Sequence, residues 1–170
     1  MNNPENIEDA EFHFENIVKE NAGKLAEIRS KTDAKKSLSE LEREAEKYAK
    51  GINRKAFISI ENGTTTGFVQ IIANETELPA GSPRIDGLDT LAHLARIAVD
   101  KDHRGRGVAK KLLSRAEDWA KGQGKDGMWL GYLADNLAAE KLYKGAGYED
   151  VAEFIDTEKQ KMRRIAIKHF

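Results

Sequence analysis

The apolar positions of this chain follow two periods, and their alternation lays out the elements. From Val108 they recur at 108, 112, 116, 119 and 120, one stripe of an amphipathic helix that Gly122 and Gly124 end. Before it, residues 91–99 form an apolar run closing at Val99, which reads as a strand, and a polar turn holding Gly105 and Gly107 joins the two. Upstream, Phe12, Phe14 and Ile17 suggest a first strand, and residues 21–30 and 38–50 read as helices. In the second helix Leu38, Leu41, Ala45, Tyr48 and Ala49 share a face, and Ser37-x-x-Glu40 has the form of a capping box. Ala56–Ile60 and Thr65–Ala73 read as a hairpin turning at Asn62-Gly63. Downstream come a strand at Met128–Leu133, a helix at Leu137–Lys144 with Gly145 as its cap, and strands at Tyr148–Ile155 and Lys161–Lys168. Residues 1–10 are polar and read as a loose segment.

Residues 74–90 break the pattern, with Pro79, Gly81, Pro83 and Gly87 close together. A connection that long without structure of its own is often functional. The order of elements, with no repeat or linker, predicts a single α/β (α+β) domain over 1–170 with a mixed sheet.

Composition narrows the function. The formal net charge is −1, which argues against a dedicated nucleic-acid binder. No cysteine is present, so thiol catalysis and Cys-based metal sites are excluded, and the four scattered histidines lack metal-ligand spacing. No apolar run approaches a membrane span, and the polar, acidic N-terminus is unlike a signal peptide, so a cytoplasmic protein is the expectation. The Glu40, Glu42, Glu44 and Glu46 face reads as solvated helix surface, or alternatively as an acidic wall for a cationic amine. The lysines at 31–36 and the pair Arg163–Arg164 read as surface charge, Trp119 as core, and neither His103 nor Trp129 is given a role.

The glycine turn offers chemistry. No Ser, Thr, Asp or Asn stands at 104–109 to cap the helix, so its first N–H groups stay bare. With Arg104, Arg106 and Lys110 alongside, and no Cβ at Gly105 or Gly107, the turn suits a phosphate or pyrophosphate. Neither a P-loop nor a dinucleotide fingerprint fits. What stands there is Arg104-x-x-Gly107-x-Ala109, followed at a distance by Asn136-Leu-Ala-Ala-Glu-Lys-Leu-Tyr143-Lys-Gly-Ala-Gly147-Tyr148. Both resemble signatures of the GNAT superfamily of N-acetyltransferases, and the resemblance covers about residues 55–168.

The resemblance implies a GNAT-like fold, a mostly antiparallel twisted sheet of about seven strands flanked by about four helices. It also implies acetyl-CoA as co-substrate and no metal. The implied cofactor site is the backbone of Ile97, Ala98 and Val99, the loop Arg104, Gly105, Arg106, Gly107, Val108, Ala109 and Lys110, and then Asn136 and Tyr143. Tyr143, seven residues beyond Asn136 and so on its helical face, would protonate the departing thiolate. Asn136 also reads as a helix N-cap.

One position departs from the family pattern. Gly131 stands where several members carry a general-base Glu. Counting back from Arg104, His93 falls where the histone-acetylating branch places its base. Strand alternation puts Leu91, His93 and Ala95 on one face, so His93 is a base candidate if that face includes the acceptor cleft. The expected activity is direct acetyl transfer to a primary amine of a small molecule or peptide. The rival reading is a CoA-binding regulatory module without turnover, and a weaker one is an acyltransferase for a longer chain. The acceptor itself is not legible, nor is its side of the cleft beyond an expectation that residues 21–50 and 75–90 build it. Homodimerisation stays open.

Overall fold

A computed structural model describes residues 12–32 and 36–170, so the expectation for residues 1–10 and part of the lysine cluster lie outside the described residues. Its elements are β1 (Phe12–Asn16), α1 (Ala22–Thr32), α2 (Leu38–Lys50), β2 (Arg54–Glu61), β3 (Thr64–Ile72), β4 (Leu91–Val99), α3 (Val108–Gly122), β5 (Gly127–Leu133), α4 (Leu137–Gly145), β6 (Glu149–Asp156) and β7 (Lys161–His169). The strands make one sheet in the order β1-β2-β3-β4-β5-β7-β6. Every neighbouring pair is antiparallel except β4 and β5. This is the mixed seven-stranded sheet with four flanking helices that the periodicity and the resemblance lead one to expect.

Local chemistry sets the turns and ends. Asn62 and Gly63 take positive φ, +50° and +75°, the twist a tight hairpin needs. Ser37 Oγ accepts the Glu40 N–H while a Glu40 carboxylate oxygen accepts the Ser37 N–H, closing the capping box. One expected boundary moves: α4 runs through Gly145, and the left-handed residue that follows it is Gly147, with φ +90°.

Strand alternation divides the core between the faces of the sheet. Phe57, Val69 and Ile71 pack with Leu112, Leu113 and Ala116 of α3, whereas Ile58, Ile60 and Phe68 pack with Leu25 and Ile28 of α1 and Ala45 of α2. A third cluster, with Leu91, Trp129, Phe154 and Ile165, lies against Leu78 and Ile85 of the 74–90 connection. That connection is fastened down. Trp129 Nε1–H donates to the Glu75 carbonyl at 3.0 Å, and the Thr157 N–H donates to the Ala80 carbonyl at 3.0 Å. At Gly81 even a Cβ would sit 2.4 Å from the Ile155 carbonyl oxygen, so only glycine allows this approach to β6.

Candidate functional site

β4 and β5 share a ladder for three residues only, from Leu91↔Gly127 to His93↔Trp129, and then separate. On its other edge β4 stays paired with β3, but Gln70 faces Arg96 while Ile71 faces Leu94, which leaves Ala95 as a bulge. Beyond His93, the β5-facing backbone groups of β4 therefore lack a strand partner. Polar backbone groups in a cleft call for a ligand or water. The opening between the two strands leads into two adjoining cavities.

The first, of about 640 Å³, lies between the end of β4, the glycine turn and α4. Ile97, Ala98 and Val99 form its strand wall. Arg104, Gly105, Gly107, Val108, Ala109 and Lys110 form its loop and helix end, and Asn136 and Tyr143 its far side. Gly105 and Gly107 take φ of +77° and +78°, and a Cβ built on either meets nothing within 4 Å. The loop is thus glycine both for its conformation and for the open space above it. Gly107 is the N-cap residue of α3 and supplies no side-chain bond, so the first N–H groups of the helix remain available to an anion. Arg104 Nε donates to the Val99 carbonyl at 3.1 Å, which ties its guanidinium to the strand end. These features fit the pyrophosphate and pantetheine arm of a CoA-type ligand. Arg106 does not line the cavity; its Nη1 reaches Glu61 at 3.4 Å instead. His103, Ala138, Lys141 and Leu142 line it too, although the sequence assigns none of them a role there.

The second cavity, of about 840 Å³, shares Ile97, Ala98, Asn136 and Tyr143 with the first and runs on past Leu94 and Gly131. Tyr143 thus borders both. Its ring lies 5.5 Å from that of Tyr132 and 5.9 Å from that of Tyr148. Burial, with Tyr132 beside it, pushes the Tyr143 phenol up to about 12, so it stays protonated. Asn136 Oδ1 accepts the Ala139 N–H at 3.1 Å, so its cap role is occupied by the carbonyl oxygen and its amide N–H₂ group remains for a ligand.

His93 borders neither of these two cavities. With Ala95 and Trp129 it lines a third recess, of about 490 Å³, beneath the 74–90 connection. Its chemistry does not suit a base. The ring is stacked on Trp129 at 3.8 Å, and its Nδ1 is buried with no partner among the described residues. Burial, reinforced by the Arg163 charge, lowers its pKa to about 4. Such an imidazole is neutral at pH 7 but holds an added proton weakly.

Gly131 explains the charge. A Cβ there would stand 3.1 Å from Arg163 Nη2, so the guanidinium lies in the space that a side chain at 131 would take. Arg163 and Trp129 line this recess together with Glu75, Glu77, Leu78, Pro79 and Ala80 of the long connection. Of residues 21–50, Thr32 and Lys36 line the second cavity among the described residues. None of the acidic residues of α2 lines these three cavities among the described residues; Glu44 pairs with Arg29 at 2.8 Å and with Lys36, and Glu46 pairs with Lys50.

A family model described as "Acetyltransferase (GNAT) family" matches residues 24–148. A chloroplastic GCN5-related N-acetyltransferase 4 of Arabidopsis thaliana is 31% identical over 96 residues, 56% of this chain and 33% of that protein. The L-amino acid N-acyltransferase MnaT of Escherichia coli is 34% identical over 98 residues, 56% of this chain and 51% of that protein. The chain therefore spans between a third and a half of the length of these relatives. Among solved structures, one assigned as a streptothricin acetyltransferase from Bacillus anthracis, in complex with acetyl coenzyme A, superposes with a TM-score of 0.62. It is 24% identical, and the match covers 73% of this chain and 67% of that one.

Proposed function

The chain belongs to the acetyltransferase (GNAT) family, and from that premise we propose that it is an acetyl-CoA-dependent N-acetyltransferase acting by direct transfer to a primary amine. The observation that carries this reading is the opening between β4 and β5, where a phosphate-ready glycine loop, bare strand backbone and Tyr143 meet in one continuous cleft. Acetyl-CoA supplies the acetyl thioester. The loop N–H groups and Arg104 hold its phosphates, and the unpaired backbone of β4 holds its pantetheine arm.

The residues of the chain then do three things. They place amine and thioester together, which is worth several kcal/mol in such reactions. A β4 N–H beyond the bulge meets the negative charge that builds on the carbonyl oxygen. Tyr143, kept protonated, donates a hydrogen bond to the departing sulfur. No covalent enzyme intermediate is needed, and there is no cysteine to form one. His93 forms a neutral, aromatic-backed wall, and the amine's proton leaves to water.

The test pairs calorimetric titration with acetyl-CoA and a thiol-release assay over a panel of amines, with products identified by mass. The expected result is acetyl-CoA binding together with an N-acetylated product for at least one amine class. Tight binding with no turnover on any amine would favour a CoA-binding module instead.

A further inference from the structure

The second cavity is cationic on its acceptor side. Lys36, Arg96, Lys159, Lys161 and Arg163 all line it, and among the described residues no Asp or Glu does. Arg163 is the organising member. Its side chain is 16% exposed, and it starts on β7 opposite Leu133 and extends along β5 to Gly131. Asp156 Oδ2 holds its Nη1 at 3.3 Å, while Asp156 Oδ1 accepts the N–H groups of Glu158 and Lys159. That carboxylate therefore braces both the guanidinium and the β6–β7 turn. Nη2 lies against Gly131, in the space a side chain there would take, and Nε is buried without a partner among the described residues. Lys159 and Lys161 have no carboxylate partner among the described residues, and both border the same cavity. Gly131 lies two residues past the last β4–β5 pair, so the guanidinium stands at the point where the strands part.

We propose that the acceptor is an amine of amino-acid size that carries a carboxylate, anchored on Arg163 with Lys159 and Lys161 around it; this rests on the cleft being the acetyl-transfer site. A guanidinium offers a paired set of donors that matches a carboxylate. A polycationic acceptor would meet like charge at the same place. The cations also disfavour the ammonium form of a bound amine. They thereby do electrostatically part of what a basic side chain at 131 would do, and the carboxylate supplies the attraction that keeps the acceptor in a positive site.

The experiment compares L-glutamate, L-alanine, L-alaninamide and spermidine, both as acetyl acceptors and, by calorimetry, as ligands of the protein saturated with CoA. The binding arm reads the anchor even where no acetyl group moves, so failure of turnover and failure of the anchor are separable. A charge-assisted bond of about 1.5–3 kcal/mol predicts a roughly 10- to 150-fold advantage of L-alanine over L-alaninamide in Kd and in kcat/KM. Arg163→Met should abolish that advantage through KM and Kd while acetyl-CoA affinity stays unchanged, and Arg163→Lys should restore part of it. Because Arg163 also braces Asp156, Lys159→Ala/Lys161→Ala, at two exposed positions, provides a second variant that should weaken L-glutamate more than L-alaninamide. Equal binding of alanine and its amide, a preference for spermidine, or an advantage that survives Arg163→Met would each overturn the proposal.

Discussion

Replacing Tyr143 by phenylalanine removes one oxygen from the wall that the two cavities share. No described residue bonds that hydroxyl, so the variant should match the wild type in stability within about 1 kcal/mol. The catalytic effect follows from the phenol's environment. Its pKa stands at about 12, whereas a thiol ordinarily titrates near ~8.5. Full proton transfer from the phenol to a free thiolate is then uphill by about 3.5 pKa units, or ~4.8 kcal/mol. The hydroxyl therefore acts as a hydrogen-bond donor to a sulfur that is gaining charge, and transfer need not finish before the C–S bond breaks. A bond of that kind contributes about 1.5–3 kcal/mol, which predicts a fall in kcat of roughly 10- to 150-fold for Tyr143→Phe. The assay is thiol release at saturating acetyl-CoA and acceptor, with acetyl-CoA affinity measured separately and expected to change little. The elevated pKa adds a second signature. The wild-type kcat should show no alkaline fall due to this group until pH approaches about 12. Equal kcat for the variant at saturation would refute the reasoning, and a Tyr143-dependent alkaline limb centred near the ordinary phenol value of about 10 would refute the electrostatics.

Two further predictions concern His93 and Gly107. His93 has a folded pKa of about 4 against about 6.5 when unfolded, so the unfolded chain binds more protons between these values and stability falls as pH drops through that window. The full loss, about 3.4 kcal/mol, is reached well below pH 4, and roughly 2.8 kcal/mol of it lies between pH 7 and 4; His93→Gln, which does not titrate, should lack it, so urea midpoints at pH 7 and near pH 4 test this, and parallel midpoint shifts would exclude a buried neutral His93. The same substitution should leave the shape of the kcat/KM profile above pH 7 unaltered. Gly107→Ala places an L side chain at φ +78°, costing about 1–2 kcal/mol of stability, and its methyl group enters the space above the loop. Calorimetry should therefore show weaker acetyl-CoA binding in protein that still unfolds cooperatively, and undiminished affinity would remove the loop from the cofactor site.

The parts of this protein legible in its sequence are those whose physics is local. The stripe from Val108 to Ala120, the Ser37–Glu40 box, the Asn62-Gly63 turn and the strand–glycine–helix junction each lie within a few residues. Periodicity, capping and backbone freedom act over that same distance. The glycine loop and the Asn136–Tyr143 helix were legible for the same reason, since each contributes its groups from one short segment. The acceptor side depends on pairings that no spacing reveals. Arg163 looks like surface charge until the β5–β7 register sets it opposite Leu133 and lets its guanidinium lie over Gly131. Lys36 comes from the far end of the chain to border the same cavity. His93 shows the difference within one side chain. Strand alternation groups it with Ala95, beside which it lines one recess, but its basicity is set by burial against Trp129 stacked upon it and by the Arg163 charge. Desolvation and charge act through space, so only the folded arrangement decides them.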